Sequence, residues 1–304
     1  MFDRCVFAKA EPDLKQYDSI IFLLEHPVLH IGDQLFFLPL IVKLIARGYP
    51  VGVRMSKNLS FLFPREIRER PPGKRPLFVT RLIVMPHLRK TYGASADFFA
   101  YDALTPIYPP IGLFFLRTFC EYFRLTDIDR TVSPDEAARF RPALPLPLPE
   151  ALKPLAGKPL VVFANYMDSG KHLRSAATAE RMVREARQYK QETGRTVVHI
   201  GTAGDKAGDP VDYGGLVDVD LRGRTSIADL FALFATLDVE MVFTCDTAVL
   251  HIARIYGKPA RIYWRSRKTR ERFTQIMQAH IHFFDESVFS QEGPKAIEAV
   301  WPSS

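Results

Sequence analysis

The strand-to-helix corner near residue 33 carries the residues best suited to acid–base chemistry. An apolar run at residues 19–24 has the length of a buried strand, and a loop then leads to Gly32 and Asp33 at the start of an amphipathic helix at residues 34–47. Glycine lets the backbone turn tightly beside a ligand. A carboxylate near a helix N-terminus can accept the proton of an attacking hydroxyl, which is general-base catalysis. Asp33 is therefore the predicted catalytic base, and its alternative role is that of a helix N-cap.

A second corner, after the predicted strand at residues 241–244, is suited to binding an anion. Asp246 is a good N-cap residue, and the neighbouring backbone N–H groups and the Thr247 hydroxyl remain available to a phosphate. This arrangement is compatible with a diphosphate. The alternative is that Asp246 only caps a helix of an ordinary parallel-sheet domain.

Lys171 is the third candidate, in a polar turn after the apolar run at residues 160–165. Its ammonium group would offset the negative charge that accumulates on a departing diphosphate. A lone lysine is otherwise an ordinary surface residue. A basic cluster after the last predicted strand either contacts phosphate or acidic lipid, or forms a solvated basic face: Arg261, Arg265, Arg267, Lys268 and Arg270.

Strands and helices alternate along both halves of the chain and position these corners. Strands are predicted at residues 19–24, 51–55 and 77–85 in the first half and at residues 160–165, 196–200, 241–244 and 260–264 in the second. In the second half, helices are predicted at residues 175–192, 226–237 and 245–256 between them. This alternation favours parallel sheets with right-handed crossovers, in which ligands bind at the carboxyl ends of the strands. The turns at residues 165–172, 201–206 and 245–247 are expected to share one such edge.

A proline-dense stretch marks the predicted domain boundary, since Pro142, Pro145, Pro147, Pro149 and Pro154 exclude both a helix and a central strand. We therefore predict an amino-terminal domain over residues 1–148 and a carboxy-terminal domain over residues 149–284. A helix that packs back across the linker is expected within residues 273–301, and the terminal segment, residues 285–304, is expected to pack back toward the first domain.

The overall charge indicates anionic partners. The 304 residues include 41 Lys and Arg against 34 Asp and Glu, so the net charge is +7 and the pI is about 9.3. This excess fits an anionic ligand or an anionic membrane surface, and no nucleic-acid-binding module is recognised. Three distant cysteines indicate a reducing compartment. The sequence begins without a signal-peptide pattern and has no uninterrupted apolar span, which favours a soluble or peripheral protein.

An aromatic and basic stretch at residues 108–124 suggests one place of contact with a membrane. Its aromatic side chains alternate with Arg117 and Arg124. Such a surface can rest on a membrane interface. The alternative is that these aromatic residues belong to the hydrophobic core.

Several of these motifs together resemble glycosyltransferase family 9, which includes the lipopolysaccharide heptosyltransferases. The resemblance rests on Ile31-Gly-Asp33, on Lys171-His172 and, above all, on the region from residue 222 to residue 263. That region contains Thr225-Ser-Ile-Ala-Asp-Leu230, Cys245-Asp-Thr-Ala-Val-Leu-His251-Ile-Ala253 and Gly257-Lys-Pro259.

The resemblance implies a GT-B architecture, an α/β fold of two Rossmann-like domains with parallel sheets facing across a cleft. The amino half would take the acceptor and the carboxy half the activated sugar. Asp33 matches the general base, with Gly32 and His30 beside it on the acceptor side. The donor-binding set implied by the resemblance comprises Lys171 and Thr247 at the diphosphate, Asp205 at the ribose or sugar, and Asp246, Ala248, His251 and Arg265.

Two departures from the family pattern bear on the donor. Ala248 stands where the family commonly has glycine, and its methyl group restricts how closely phosphate approaches the backbone. Trp264-Arg265-Ser266 replaces the usual turn after the last strand. The resemblance therefore leaves the donor base and sugar open.

These observations predict an inverting, metal-independent glycosyltransferase of the EC 2.4 class. It would move a sugar from a nucleotide-diphosphate donor to a bacterial surface glycan or lipid-linked acceptor, as in lipopolysaccharide biosynthesis. We expect it in the cytoplasm, with peripheral contact with the inner membrane as an option. No cofactor is predicted, because the nucleotide sugar is a substrate. Two Asp-x-Asp triplets, at residues 127–129 and 218–220, are interpreted as chance matches rather than metal sites.

Two other functions remain as alternatives. The first is a catalytically silent sugar-nucleotide-binding or scaffold protein of the same fold, which the departures at Ala248 and Trp264 motivate. The second, a nicotinamide-dependent oxidoreductase, is disfavoured because no G-x-G-x-x-G motif follows an early strand.

Overall fold

The computed structural model describes residues 13–27, 29–35, 37–81, 84–93, 95–101, 119–120, 122–125, 147–165, 176–204, 212–245, 247–256, 258–263 and 297–300. The described residues up to 125 belong to one compact unit, and those from 147 onward belong to a second. None of the helices formed by these residues has the length and apolar character needed to cross a bilayer.

The first unit is built on a four-stranded parallel sheet with the strand order β2-β1-β3-β4. Its strands are β1 (Ser19–Leu23), β2 (Val51–Arg54), β3 (Pro76–Arg81) and β4 (Asp97–Tyr101). Its helices are α1 (Ile31–Leu35), α2 (Leu38–Ala46), α3 (Arg65–Arg68) and α4 (Met85–Tyr92). Short 3-10 helices span Leu14–Gln16 and Lys57–Leu62.

The structure divides the single helix predicted at residues 34–47 into α1 and α2. Pro39 lies in the first turn of α2. Proline has no backbone N–H and is tolerated there, where that group would lack an intrahelical partner. Pro39 therefore marks the first turn of a separate helix. A strand was also predicted at residues 77–85, and the observed strand β3 is shorter, since it ends at Arg81.

The second unit is built on a six-stranded parallel sheet with the order β10-β9-β8-β5-β6-β7. Its strands are β5 (Leu160–Ala164), β6 (Thr196–His199), β7 (Val219–Asp220), β8 (Val239–Thr244), β9 (Ala260–Tyr263) and β10 (Ile297–Val300). Its helices are α5 (Ala176–Thr193), α6 (Ile227–Thr236) and α7 (Ala248–Ile255), with a 3-10 helix at Lys153–Leu155. Numbered within the unit, the strands follow the order 3-2-1-4-5-6 of the Rossmann fold.

Local sequence accounts for most of these elements. All five residues of β1 and all five of β5 are buried, as expected for parallel strands that are covered on both faces. Helix α6 begins with a complete capping box, in which the Ser226 hydroxyl accepts from the Asp229 N–H at 3.2 Å and the Asp229 carboxylate accepts from the Ser226 N–H at 2.7 Å. The start of α6 therefore agrees with the helix predicted at residues 226–237.

The last described residues form a strand that was not predicted. Residues 297–300 form β10, which pairs with β9. The rest of the region at residues 273–301, where a helix was expected, lies outside the described residues. A four-residue strand has too few residues to show a distinctive period, so its state is decided by pairing with the free edge of β9. The other residues of the 285–304 segment lie outside the described ranges, and its packing toward the first domain stays a prediction.

Candidate active site

The first sheet reverses its strand order between β1 and β3. The chain passes from β1 to β2 on one side and continues to β3 on the other, so the loops after β1 and β3 diverge. In open parallel sheets this point leaves a crevice at the carboxyl ends of the strands, where ligands bind. Asp33 follows β1, and Arg81 is the last residue of β3. Both side chains therefore belong to the switch point of the first sheet.

Asp33 and Arg81 form an ion pair at this point. Arg81 Nη1 donates to Asp33 Oδ1 at 2.5 Å, and the side chains are 3% and 22% exposed, respectively. The other oxygen, Oδ2, accepts the backbone N–H of His30 at 3.2 Å. One carboxylate oxygen is thus held by a buried cation, while the second has a longer bond and lone-pair capacity to spare.

The alternative role of Asp33 as the N-cap of its helix is not what the structure contains. Asp33 is the third residue of α1, and its carboxylate reaches back to the N–H of the residue before the helix. This is the contact of the third helical residue in a capping box. Gly32, beside it, is buried, and His30 is exposed.

Buried side chains fix the surroundings of the pair. Gln34 is 1% exposed, donates from Nε2 to the Leu29 carbonyl at 3.0 Å and accepts the Ser56 N–H at Oε1 at 2.9 Å. Thr80, next to Arg81, donates its hydroxyl to the Leu23 carbonyl at 2.7 Å. These bonds join the ends of β1, β2 and β3 into one frame around Asp33.

Arg81 and Gln34 were not among the residues predicted from the sequence. The sequence feature that could have pointed to Arg81 is its position directly after the mostly apolar run Leu77-Phe-Val-Thr80. A buried strand tolerates a charged residue at its carboxyl end. Nothing in the sequence connected it to Asp33, because their contact spans 48 residues.

The second sheet reverses its order between β5 and β8, which are direct neighbours. Thr247 precedes α7 at the end of β8, and its hydroxyl lies 3.2 Å from that of buried Thr244. The Thr244 hydroxyl also contacts the Cys245 carbonyl at 3.1 Å. Since each hydroxyl carries one hydrogen and that of Thr244 goes to the Cys245 carbonyl, Thr244 accepts from Thr247 in this arrangement, and an anion at the helix N-terminus would take the Thr247 hydrogen in its place.

A buried polar network lines the carboxyl ends of β5 and β6. Asn165, directly after β5, donates from Nδ2 to the Tyr213 hydroxyl at 2.7 Å, and its Oδ1 lies 2.8 Å from His199 Nε2. Asn165 and His199 are both buried. The Asn165 amide therefore fixes the Tyr213 hydroxyl at the edge of the sheet beside the switch point.

Tyr213 also contacts the loop after β7. The Arg222 guanidinium lies 5.5 Å from the centroid of the Tyr213 ring and binds Asp220 through two nitrogen–oxygen contacts, at 3.1 and 3.0 Å. The roles of His199 and Tyr213 could not be deduced from the sequence, where neither stands in a recognisable motif.

The Asp218-Val-Asp220 triplet is engaged in ion pairs. Asp218 contacts Lys190 Nζ at 2.6 Å and accepts the Val197 N–H at 2.8 Å, while Asp220 pairs with Arg222. Both carboxylates are therefore paired with cations in this structure, and the interpretation of the triplet as a chance match stays a prediction. Across the described part of the chain, no three His, Cys, Asp or Glu side chains converge in a way that could hold a metal ion. The second triplet, at residues 127–129, lies outside the described residues.

The donor-side candidates are only partly described. Ala248 is the first residue of α7 and is half-buried, and His251, one turn on, is buried. Lys171, Asp205, Asp246 and Arg265 lie outside the described residues. The described parts of the three predicted ligand turns are Asn165, residues 201–204, Cys245 and Thr247. All of them follow carboxyl ends of parallel strands and therefore share one edge of the second sheet.

Comparison with known proteins supports the fold. No family model matches the sequence, and no curated protein matches it significantly. The chain is similar to the crystal structure of a glycosyl transferase family 9 protein from Veillonella parvula DSM 2008, with a TM-score of 0.56 and 13% identity over 83% of this chain and 81% of that chain.

Two further solved structures also match the chain. The E. coli ADP-heptose lps heptosyltransferase II matches at 16% identity and a TM-score of 0.34, over 81% of this chain and 84% of that one. A putative UDP-N-acetylglucosamine 2-epimerase from Listeria monocytogenes matches at 10% identity and a TM-score of 0.40, over 90% and 89% of the two chains. Both superpose too loosely to add to the argument. The match to the Veillonella protein confirms the predicted α/β fold with two parallel sheets of the GT-B kind.

Proposed function

We propose that this protein is an inverting glycosyltransferase that moves a sugar from a nucleotide-diphosphate donor to a bacterial surface glycan or lipid-linked acceptor. The observation that carries the proposal is the Asp33 carboxylate at the switch point of the first sheet. One of its oxygens is held by Arg81 at 2.5 Å, and the side chain is 22% exposed. The fold shared with a glycosyl transferase family 9 structure supports the same assignment.

Asp33 acts on the acceptor in this mechanism. Its Oδ2 atom takes the proton from the acceptor hydroxyl as that oxygen attacks the anomeric carbon of the donor sugar. The bond from the anomeric carbon to the β-phosphate oxygen breaks on the opposite face, so the configuration inverts. The nucleoside diphosphate leaves with the electron pair of that bond.

The second unit binds the donor in this mechanism. The N-terminus of α7 and the Thr247 hydroxyl bind the diphosphate, and Lys171 offsets the charge that develops as it departs. Asp205 contacts the ribose or sugar, and the remaining donor-side positions are Asp246, Ala248, His251 and Arg265. These cationic and backbone groups make a metal ion unnecessary. We place the reaction in the cytoplasm, with peripheral contact between the protein and the inner membrane.

Replacement of the base tests the proposal. Asp33→Asn is expected to lower the turnover number for sugar transfer about 10²- to 10⁴-fold, because the amide cannot take the proton. Transfer would be measured with ADP-, UDP-, GDP-, dTDP- and CMP-linked sugars and an acceptor extract. The matched control is Asp238→Asn, which makes the same change at an exposed residue just before β8, at the opposite edge of its sheet. Equal transfer by wild type and Asp33→Asn would overturn the assignment.

A catalytically silent nucleotide-sugar-binding protein is the second candidate. The observation that favours it is that Ala248 is the first residue of α7. Its methyl group limits how closely a phosphate can come to the backbone at the helix N-terminus. Under this function the wild type binds a nucleotide sugar but transfers nothing from any donor in the panel. Ala248→Gly is then expected to tighten nucleotide binding without producing transfer.

A further inference from the structure

We infer that Arg81 is the residue that positions the Asp33 carboxylate and leaves Oδ2 as the oxygen that receives the acceptor proton. The inference rests on the proposed function, since Asp33 is a base only there. Arg81 itself touches neither substrate in this scheme and acts through Asp33.

Burial makes the contact obligatory. Arg81 is 2% exposed, and its guanidinium stays charged in proteins. A buried cation without a counter-charge is strongly disfavoured. Within the described part of the chain, Asp33 is the one carboxylate that pairs with Arg81, so a rotation that carried it away would leave the guanidinium without a described counter-charge. The ion pair therefore restricts Asp33 to the orientation in which it meets Arg81.

The contact is end-on, and this selects one oxygen. Arg81 Nη1 bonds to Oδ1 at 2.5 Å, and Oδ2 receives the His30 N–H at 3.2 Å. A carboxylate oxygen accepts about two hydrogen bonds, so Oδ2 can accept a second one, from the acceptor hydroxyl. Arg81 thus occupies Oδ1 and leaves Oδ2 for the acceptor.

The sheet fixes the position of the guanidinium. Phe22 of β1 pairs with Val79 of β3, and the Thr80 hydroxyl bonds to the Leu23 carbonyl at 2.7 Å. Arg81 is the next residue along β3, which places it beside the start of the loop that leads to Asp33. A group carried by a paired strand is held more precisely than one carried by a loop.

The test is a mutant cycle in sugar transfer with Arg81→Gln, Arg81→Lys, Asp33→Asn and the double variant Asp33→Asn/Arg81→Gln. Arg81→Gln is expected to lower kcat about 10- to 100-fold and to leave the KM values for donor and acceptor within about threefold. Arg81→Lys is expected to recover part of kcat. The double variant is expected to be no slower than Asp33→Asn alone, because Arg81 acts through that carboxylate.

Arg195→Gln is the matched control. Arg195 also pairs with a carboxylate, that of Glu240 at 2.6 Å, and the two side chains are 35% and 29% exposed. It precedes β6 at the amino edge of the second sheet, so its loss is expected to leave kcat unchanged. All variants would be assayed well below their melting temperatures. If Arg81→Gln does not fold, Arg81→Lys carries the test, and a wild-type kcat in that variant overturns the inference.

Two further outcomes count against the inference. A double variant whose kcat falls by the product of the single effects would mean that Arg81 acts independently of Asp33. A raised acceptor KM with unchanged kcat in Arg81→Gln would assign it to substrate binding instead.

Failure of the proposed function can be recognised separately. If the wild type transfers no sugar from any donor, that function fails. The melting temperatures of the wild type, Arg81→Gln, Asp33→Asn and the double variant still report on the ion pair. If the two residues form an ion pair, the fall in melting temperature of the double variant is expected to be smaller than the sum of the falls in the two single variants. The reason is that the double variant no longer contains an unpaired buried charge. Additive shifts would overturn the inference regardless of activity.

Discussion

Asp33 accepts hydrogen bonds from a guanidinium 48 positions away in the sequence and from a backbone N–H three positions away. The nearer contact follows from helix geometry and could be anticipated from the chain order. The distant contact depends on the pairing of β1 with β3. This explains why Asp33 was predicted as a candidate from its corner alone, whereas its partner Arg81 was not.

Glu185 and Tyr263 form another long-range contact, inside the second unit. The Tyr263 hydroxyl, on β9, donates to Glu185 of α5 at 2.6 Å, and Arg181 contacts the same carboxylate at 2.6 Å. Burial raises the pKa of Glu185, but the hydrogen bonds from Tyr263 and Arg181 outweigh it and hold that pKa below the ordinary value of 4.5. Burial and the Glu185 contact raise the pKa of Tyr263.

Tyr263→Phe is expected to lower the free energy of unfolding at pH 7 by about 1.5–3 kcal/mol, the usual value of a hydrogen bond to a charged group. A carboxyl with a depressed folded-state pKa contributes stability above its unfolded value and loses it as the pH falls through the folded value. The difference between wild type and variant should therefore be complete above about pH 5 and shrink below pH 4.5. Urea unfolding followed by circular dichroism from pH 3 to 8 measures this.

Tyr189→Phe is the control for that experiment. Tyr189 packs against the same core cluster as Tyr263, and in the described part of the chain its hydroxyl bonds to no carboxylate. Its loss is expected to change stability by less than about 0.5 kcal/mol at any pH in the range. A pH-independent difference for Tyr263→Phe would contradict the assigned role of Glu185.

Among the connecting elements, the loops after β6 and β7 meet at a glycine. Gly223 has φ +70°, and its N–H donates to the Gly201 carbonyl at 2.8 Å. A Cβ at this position would lie 2.7 Å from the Ala203 Cβ and 2.9 Å from its Cα. Both the backbone conformation and the close approach of the two loops require glycine here.

Gly223→Ala is expected to destabilise the second unit more than Gly215→Ala does. Gly215 has nearly the same φ, +74°, but nothing lies within 4 Å of its added Cβ. Both variants bear a strain of about 1–2 kcal/mol, and only Gly223→Ala adds the clash, which costs about a further 1–3 kcal/mol. Equilibrium unfolding in urea compares them. Equal losses would show that the loops move apart freely.

For the whole molecule, the net charge of +7 and the basic pI fit an anionic substrate. A nucleotide sugar of the correct base class at 100 times its Kd is expected to stabilise the protein by about 2.7 kcal/mol, which a thermal-shift assay detects as a rise in Tm of several degrees. Asp33→Asn should retain this shift, because Asp33 lies in the unit proposed to bind the acceptor. Thr247→Ala should reduce it. The absence of a shift with all five base classes would contradict nucleotide-sugar binding.

Chelation tests the predicted independence from metal ions. Transfer is expected to change by less than about twofold in the presence of EDTA, because an ammonium and a helix N-terminus offset the charge of the leaving group in this mechanism. Loss of transfer that added Mg²⁺ or Mn²⁺ restores would contradict this. The same preparation with EDTA followed by excess Mg²⁺ controls for nonspecific effects of the chelator.

The amino-acid sequence by itself determined the class of fold and the corners that carry Asp33 and Thr247. Alternating apolar strands and amphipathic helices bury their apolar surface as parallel sheets, and strand-to-helix corners then lie at the carboxyl edge. The tertiary structure decided the strand orders, the ion pair of Asp33 with Arg81 and the contacts of Asn165 with His199 and Tyr213. It also decided that residues 297–300 form a strand. The physical reason is that local periodicity shows which face of an element is buried, whereas its neighbours are set by packing between segments far apart in the chain.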